Sequence, residues 1–350
     1  MSPDDRPPLG DAPPESATPK LRAVFLGTPE FAVPSLVALH DVAEIAAVVT
    51  QPARPKGRGR QVGPPPVAQV ARERGLTVLQ PVKLKNPQIV RAISELRPDV
   101  IVTVAYGKII PKDILDLPPL GCVNVHPSLL PKYRGASPIQ HAIMDGHAET
   151  GVTIMYQSEV LDAGDIILQR RVPIRPDDTA GTLEHTLAEE GAKALIEAMG
   201  LIARGLARRI PQDPTQATYV GKLAKEDGRM DWGRSASELE RFIRAMDPWP
   251  SAFTRHRGRL LKIWNSVPVT LAPGVAAGSP GPGTVAEIRR GDGFVVATGD
   301  GWLLIREVHP EDRRRMTADE YVHGTHLEVG ERLGERIDGH AEARTRGNAD

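Results

Sequence analysis

DVIVTVA, residues 99–105, is an unbroken apolar run rich in β-branched side chains. Branching at Cβ stiffens χ1 and suits a pleated strand. A run with no polar alternation is covered on both faces, as strands of a parallel sheet are. GCVNVH (121–126) follows the same rule, and so do LRAVFLG (21–27) and EIAAVVT (44–50) upstream. Between the runs lie segments of helical period, VAQVARERG (67–75) and NPQIVRAISELRP (86–98), with the short strand-like LTVLQ (76–80) between them. Apolar strands separated by helices of about ten residues predict an α/β fold with a Rossmann-like parallel sheet and helices on both faces. Thr28 is a predicted helix N-cap with Pro29 in the first turn, and that helix should run to about His40. VTIMY (152–156) and IILQRRVPI (166–174) add two strands, and a long helix over 179–205 ends at Gly205.

The pattern then changes. Residues 206–230 are Pro- and Gln-containing and weakly periodic, as a surface linker would be. SASELERFIRAMDP (235–248) predicts one helix with a Ser N-cap and a Pro stop. Five short strands follow, with Gly-Asp-Gly turns at 291–293 and 299–301 marking hairpins. They predict a small C-terminal β-barrel, OB-like, with a mobile loop over 268–283. The expected organisation is a disordered leader (1–20), a Rossmann-like domain (21–205), a linker (206–230), a β-barrel domain (231–328) and a flexible tail (329–350).

Composition narrows the function classes. Of 350 residues 40 % are hydrophobic and 25 % charged, so a sizeable core can form. Lys and Arg number 44, as do Asp and Glu, which excludes a global polycation but not local basic patches. A single cysteine, Cys122, rules out an internal disulfide and a Cys-based zinc site. No apolar run reaches membrane-spanning length, and the first twenty residues lack the basic and apolar regions of a signal peptide. A cytoplasmic, monomeric protein without a metal is expected.

The chemistry gathers in GCVNVHPSLLPKYRGASPIQ (121–140). Strand side chains alternate faces, so Asn124 and His126 share one, about 7 Å apart at ~3.4 Å per residue. They lie at the carboxyl end of a strand, where ligands bind in α/β sheets. Taken alone, the pair also suits two side chains capping exposed backbone. LDAGD (161–165) offers Asp162 and Asp165 around Ala-Gly, with Gly164 able to take positive φ. Alone it also suits an ordinary turn. Together these residues fit acyl transfer to an amine, whose tetrahedral oxyanion needs fixed donors and whose amine must lose a proton. Asn124 supplies an amide N–H, His126 a ring N–H, and Asp162 a proton acceptor. No G-x-S-x-G elbow surrounds Ser128, and Cys122 reads as packing, so direct transfer is favoured over a covalent enzyme intermediate.

FLGTPEFAVPSL, TQPARPKGRGR, AYGKIIP, NVHPSLLPKYRGASPI, ETGVTIM and LDAGDI resemble the methionyl-tRNA formyltransferase family of folate-dependent formyltransferases. DWGRSASELERFIRAMDPWPSAF resembles the start of that family's second domain, so the resemblance covers residues 21–325. It implies that Asn124, His126 and Asp162 are the catalytic trio. It implies that Ser128, Leu129, Leu130 and Pro131 line the site of 10-formyltetrahydrofolate, the co-substrate. Residue 127 is Pro where some members have Gly, which changes loop stiffness and not the chemical inventory. The Asn-x-His-x-Ser-Leu-Leu-Pro motif is shared by the wider folate-dependent enzymes and specifies the donor better than the acceptor.

The acceptor rests on basic residues. Arg54, Lys56, Arg58 and Arg60 stand within TQPARPKGRGR (50–60) with no acid between them, as a phosphate-contacting or simply solvated loop would. The resemblance implies that this insertion meets the tRNA acceptor arm, with Arg58 foremost. Residues 206–315 carry 18 Lys and Arg against 13 Asp and Glu, a surplus of five that suits a nucleic-acid surface. Lys222, Lys225, Arg255, Arg257 and Lys262 are candidate contacts. The expected activity is formyl transfer to the α-amine of methionine on initiator methionyl-tRNA, in support of translation initiation. The rivals are formyl transfer to a small amine, an amino-sugar nucleotide or glycinamide ribonucleotide, then hydrolysis of the donor, and a non-catalytic RNA-binding module.

Overall fold

The computed structural model describes residues 20–56, 61–271 and 280–334. The chain divides into two compact units, Met1–Val123 with Leu195–Arg209, and Asn124–Ala194 with Ile210–Asp350. The boundary passes through a strand and a helix that the sequence pattern treats as whole.

The first unit runs β1 (Arg22–Gly27), α1 (Val33–Val42), β2 (Glu44–Val49), β3 (Arg54–Lys56), β4 (Gln61–Gly63), α2 (Pro66–Glu73), β5 (Val78–Leu79), α3 (Pro87–Glu95), β6 (Val100–Val104), α4 (Lys112–Leu115) and the start of β7 (Cys122–His126). The strand order here is β7-β6-β1-β2-β5. β1 pairs in parallel with β2 and β6, and β2 with β5. All five residues of β6 are buried, as its unalternated sequence requires. Val24, Leu26, Val49, Ile93, Ile101 and Ile114 form one core cluster with Cys122. Each such aliphatic side chain contributes about 1.5–3 kcal/mol on leaving water.

Thr28 does not cap the first helix. Its hydroxyl donates to the Tyr106 carbonyl at 3.2 Å and accepts from the Gln51 N–H at 3.3 Å, while α1 begins five residues later behind Ala32. The strand-end hydroxyl serves neighbouring loops instead of a helix. On either side of residues 57–60, which lie outside the described residues, β3 pairs antiparallel with β4, Arg54 opposite Gly63 and Lys56 opposite Gln61.

The second unit takes the rest of β7, then β8 (Arg134–Gly135), α5 (Pro138–Met144), β9 (Glu149–Tyr156), β10 (Ile166–Pro173), α6 (Ala180–Ala203, its last turns in the first unit) and β11 (Tyr219–Val220). Here the order is β10-β9-β7, with β9 and β10 antiparallel from Glu149 opposite Pro173 to Met155 opposite Ile166. Composition does not mark the direction in which an edge strand such as β10, much of it exposed or partly exposed, pairs with its neighbour. Arg134–Gly135 pairs in parallel with Tyr219–Val220, so the segment read as a surface linker is hydrogen-bonded to the loop that follows β7.

The chain continues as α7 (Ala236–Ala245), β12 (Phe253–His256), β13 (Arg259–Val269), β14 (Val285–Arg289), β15 (Gly293–Ala297), β16 (Trp302–Pro310), β17 (Met316–Thr317) and α8 (Ala318–Thr325). Ser235 caps α7 in a reciprocal box with Glu238. The sheet order is β12-β13-β16-β15-β14, all antiparallel, with β17 beside β16. Gly291 and Gly301 take positive φ in the Gly-Asp-Gly turns, as expected. The expected mobile loop falls in part on 272–279, outside the described residues.

Closure of the sheet comes from a segment the sequence assigns to the tail. Gly330–Gly334 lies along both edge strands, with Arg332 bridging Thr284 and Leu333 bridging His256. Leu333 is 1 % exposed and joins the core cluster, so residues 330–334 are anchored to the sheet. α8 was also unforeseen, although Thr317 and Glu320 form a capping box that marks its start.

Candidate active site

Every residue of β7 is buried, so its two polar side chains need partners. Asn124 is 8 % exposed and His126 4 %. His126 Nε2 lies 3.0 Å from the Tyr133 carbonyl oxygen. A carbonyl only accepts, so Nε2 carries a hydrogen and the tautomer is fixed. Nδ1 then faces Asp162 Oδ2 at 3.8 Å, too far for a hydrogen bond. A single nitrogen or oxygen placed about 2.9 Å from both atoms bridges that gap. A reacting amine fits that description.

Asp162 sits in the turn between β9 and β10. The left-handed residue of this turn is Asp162 itself, at φ 49, and Gly164 is not left-handed. Gly164 is needed for another reason, because a Cβ there would lie 1.8 Å from the Tyr156 carbonyl oxygen. Oδ2 of Asp162 accepts from the Gly135 N–H at 2.8 Å. Gly135 takes φ +113, and a Cβ on it would meet the Val220 carbonyl at 2.2 Å. Only glycine therefore lets this N–H reach the carboxylate. Tyr133, also left-handed at φ 59, aims its carbonyl at His126 while its N–H is held by Thr218 Oγ1 at 2.8 Å. Its phenol donates to Asp145 Oδ2 at 2.6 Å, and burial with that hydrogen bond pushes the phenol pKa upward.

The Ser-Leu-Leu-Pro stretch divides. Ser128 is 1 % exposed and its hydroxyl donates to the Lys132 carbonyl at 2.7 Å, bracing the loop from inside. Leu130 packs with Met155 and Ile166, and its peptide to Pro131 is cis. Thr153 ties both residues down, donating to the Ser128 carbonyl at 2.6 Å and accepting from the Leu130 N–H at 3.1 Å. Leu129 and Pro131 keep partial exposure, which leaves them as the side chains able to touch a ligand.

Cys122, on the same strand, donates weakly to the Ile114 and Leu115 carbonyls, and burial pushes its thiol up to about 12. Such a thiol is inert, in keeping with a packing role. Among the basic candidates, Arg54 and Lys56 lie on β3, whereas Arg58 and Arg60 fall outside the described residues. Lys222 and Lys225 are exposed. Arg257 is committed within the protein, to Glu331 and to the carbonyls of Thr325 and His326.

The formyl transferase family model matches residues 21–199, and the model of the formyl transferase C-terminal domain matches 222–326. The chain belongs to the formyl transferase family. Methionyl-tRNA formyltransferase of Acetivibrio thermocellus is 47 % identical over 316 residues, covering 90 % of this chain and all of that protein. The protein of the same name from Symbiobacterium thermophilum is 48 % identical over 315 residues, covering 89 % of this chain and 95 % of that one. Among solved structures, HypX from Aquifex aeolicus in complex with tetrahydrofolic acid superposes with a TM-score of 0.58 at 21 % identity, over 89 % of this chain and 48 % of its own. WlaRD, a sugar 3N-formyl transferase solved with dTDP and 5-N-formyl-THF, superposes at 0.61 and 17 % identity, over 84 % and 99 %. At those identities the superpositions speak for the fold alone.

The sequence does not mark Tyr133, Gly135 and Gln212, which hold His126 and Asp162 in place, or Arg134, which holds Gln212. Tyr133, Arg134 and Gly135 follow the Ser-Leu-Leu-Pro stretch after Lys132. Gln212 lies in the segment read as linker and carries no motif.

Proposed function

We propose that this chain transfers the formyl group of 10-formyltetrahydrofolate to the α-amine of methionine on initiator methionyl-tRNA. The observation that carries the reading is His126, with one ring nitrogen fixed on Tyr133 and the other facing Asp162 across 3.8 Å. The acceptor is supported by the names and near-complete overlap of the curated relatives. The amine nitrogen enters between Nδ1 and Asp162 and attacks the formyl carbon. A C–N bond forms, and the carbonyl oxygen becomes an oxyanion held by the Asn124 amide and, in the doubly protonated ring, by Nδ1–H. Asp162 takes up the proton that the amine loses. The bond from carbon to N10 then breaks as Asp162 hands that proton on to N10 through water, so tetrahydrofolate leaves with an N10–H and Asp162 returns to the carboxylate. Leu129 and Pro131 offer the donor an apolar wall, with Ser128 and Leu130 shaping the loop behind them. Arg54, Lys56, Arg58 and Arg60 contact tRNA phosphates, and the C-terminal domain, from residue 231 through the Gly330–Gly334 segment that closes its sheet, supplies a second basic surface. The enzyme acts as a monomer in the cytoplasm.

The test is formyl transfer from 10-formyltetrahydrofolate, comparing charged initiator tRNA, charged elongator tRNA and an amino-sugar nucleotide. Formylation confined to initiator methionyl-tRNA, weakening steeply with salt, is expected. Preferred use of the sugar nucleotide, or donor hydrolysis alone, overturns the reading. Arg58→Ala should raise KM for tRNA about tenfold, the size of one lost charge-assisted contact, and leave use of a small amine unchanged. Equal loss on both acceptors refutes the phosphate role.

A further inference from the structure

A left-handed backbone is strained for a side-chain-bearing residue unless its surroundings hold it. Asp162 is left-handed at φ 49, and the structure shows what holds it. Gln212 Nε2 donates one hydrogen to the Asp162 carbonyl at 2.9 Å and the other to the Gly164 carbonyl at 2.8 Å. Both hydrogens of the amide are thus used on the turn that carries the carboxylate. Gln212 Oε1 is held in its turn by Arg134, which donates from Nε at 3.1 Å and Nη2 at 2.7 Å. Arg134 is 4 % exposed, and its Nη1 donates to the Tyr219 hydroxyl at 3.0 Å. The residue after Arg134 is Gly135, whose N–H meets the Asp162 carboxylate. Arg134, Gln212, Asp162 and Gly135 therefore close a ring, which grips Asp162 by its carbonyl and its carboxylate at once. A guanidinium bonded to the amide oxygen also polarises the amide and strengthens its N–H donors.

We infer that Gln212 is a positioning residue for formyl transfer, its amide oriented by Arg134 to hold Asp162 in the conformation that faces His126. The inference rests on the reading of Asp162 as proton acceptor. Nothing in the chemistry requires Gln212 to touch substrate, so its effect runs through Asp162.

Gln212→Glu separates positioning from folding. The carboxylate still satisfies Arg134, but the two N–H donors are gone. Gln212→Asn keeps the amide and withdraws it by one methylene. In both variants kcat should fall about 10- to 100-fold, the usual effect of losing an outer-shell partner, while KM for folate and tRNA changes by less than about threefold. Placed in an Asp162→Ala background, Gln212→Glu should cost nothing further, because the two act as one unit. A kcat within about twofold of wild type in both folded variants, or a full additional loss in the double variant, overturns the inference. So does failure of both to fold, which makes Gln212 a fold residue only. Asp162→Asn distinguishes the two layers. If it keeps turnover, the reading of Asp162 fails and Gln212 falls with it. If it loses turnover while Gln212→Glu does not, only the inference about Gln212 fails.

Discussion

His126 and His256 are each 4 % exposed and each face a carboxylate, yet their rings are used differently. His256 Nδ1 lies 2.6 Å from the Tyr321 hydroxyl and Nε2 2.9 Å from Glu331 Oε2. Glu331 is gripped further by Arg257, at 2.9 Å from Nε and 2.6 Å from Nη2. Each ring nitrogen of His256 is at hydrogen-bonding distance from a partner. His126 has one nitrogen bonded and the other 3.8 Å from its carboxylate. A saturated buried network stabilises a fold, whereas a ring atom held just short of its partner leaves room for a reacting group. Burial beside an acid does not tell the two apart. The unspent hydrogen-bonding capacity does.

The largest expected effect falls on His126. His126→Ala should lower kcat about 10²–10³-fold, the cost of removing one preorganised donor, with tRNA binding preserved. His256→Ala should leave kcat of the folded enzyme within about twofold. The two variants are assayed side by side at a temperature where both remain folded by circular dichroism. Comparable kcat losses in both would erase the distinction drawn from their ring nitrogens.

The sign reverses for stability. His256→Ala strands Tyr321 and removes one of the donors to Glu331, which should cost about 1–3 kcal/mol. Urea unfolding monitored by fluorescence measures it. His126→Ala should cost less, since it frees one part-buried carbonyl and leaves Asp162 bonded to Gly135. A larger loss at His126 than at His256 would mean that the site is built for stability first.

The two histidines also show how much the sequence could reveal. Asn124, His126 and Asp162 were legible as a candidate site because they stand in short motifs, on one strand face and in one turn. The parallel strands were legible from β-branched runs such as 99–105. Tyr133 and Gln212 were not, because they act on His126 and Asp162 through a backbone carbonyl or a side-chain amide, and a carbonyl is the same in every residue. Gln212 is also 50 positions from Asp162, brought there by the pairing of Tyr219–Val220 with Arg134–Gly135. The contact between His256 and Glu331 spans 75 positions and depends on a segment whose polar composition reads as tail. Closure of the sheet by Gly330–Gly334 was hidden for the same reason, with Leu333 as its one strongly apolar anchor.

The smallest expected effect concerns the charge on Glu331. Arg257, and after it His256, hold the Glu331 carboxyl down to about 2, although partial burial opposes them. An unfolded glutamate titrates near ~4.3. The folded value is the lower one, so the unfolded chain binds the proton more readily. The stabilisation is therefore complete above about pH 4.3 and is lost as pH falls towards 2. Tyr321, pushed up to about 12 by burial, stays protonated throughout that window and does not contribute to the slope. Glu331→Gln keeps the shape and removes the charge. The wild-type advantage over this variant in urea should be steady from about pH 7 to 5 and shrink to little by about pH 2. Carboxylates shared by both proteins cancel in the difference. An advantage that persists unchanged at the acid end would assign the stabilisation to packing of the segment around Leu333. The saturated network would then be held by shape, and its contrast with the open site at His126 would rest on geometry alone.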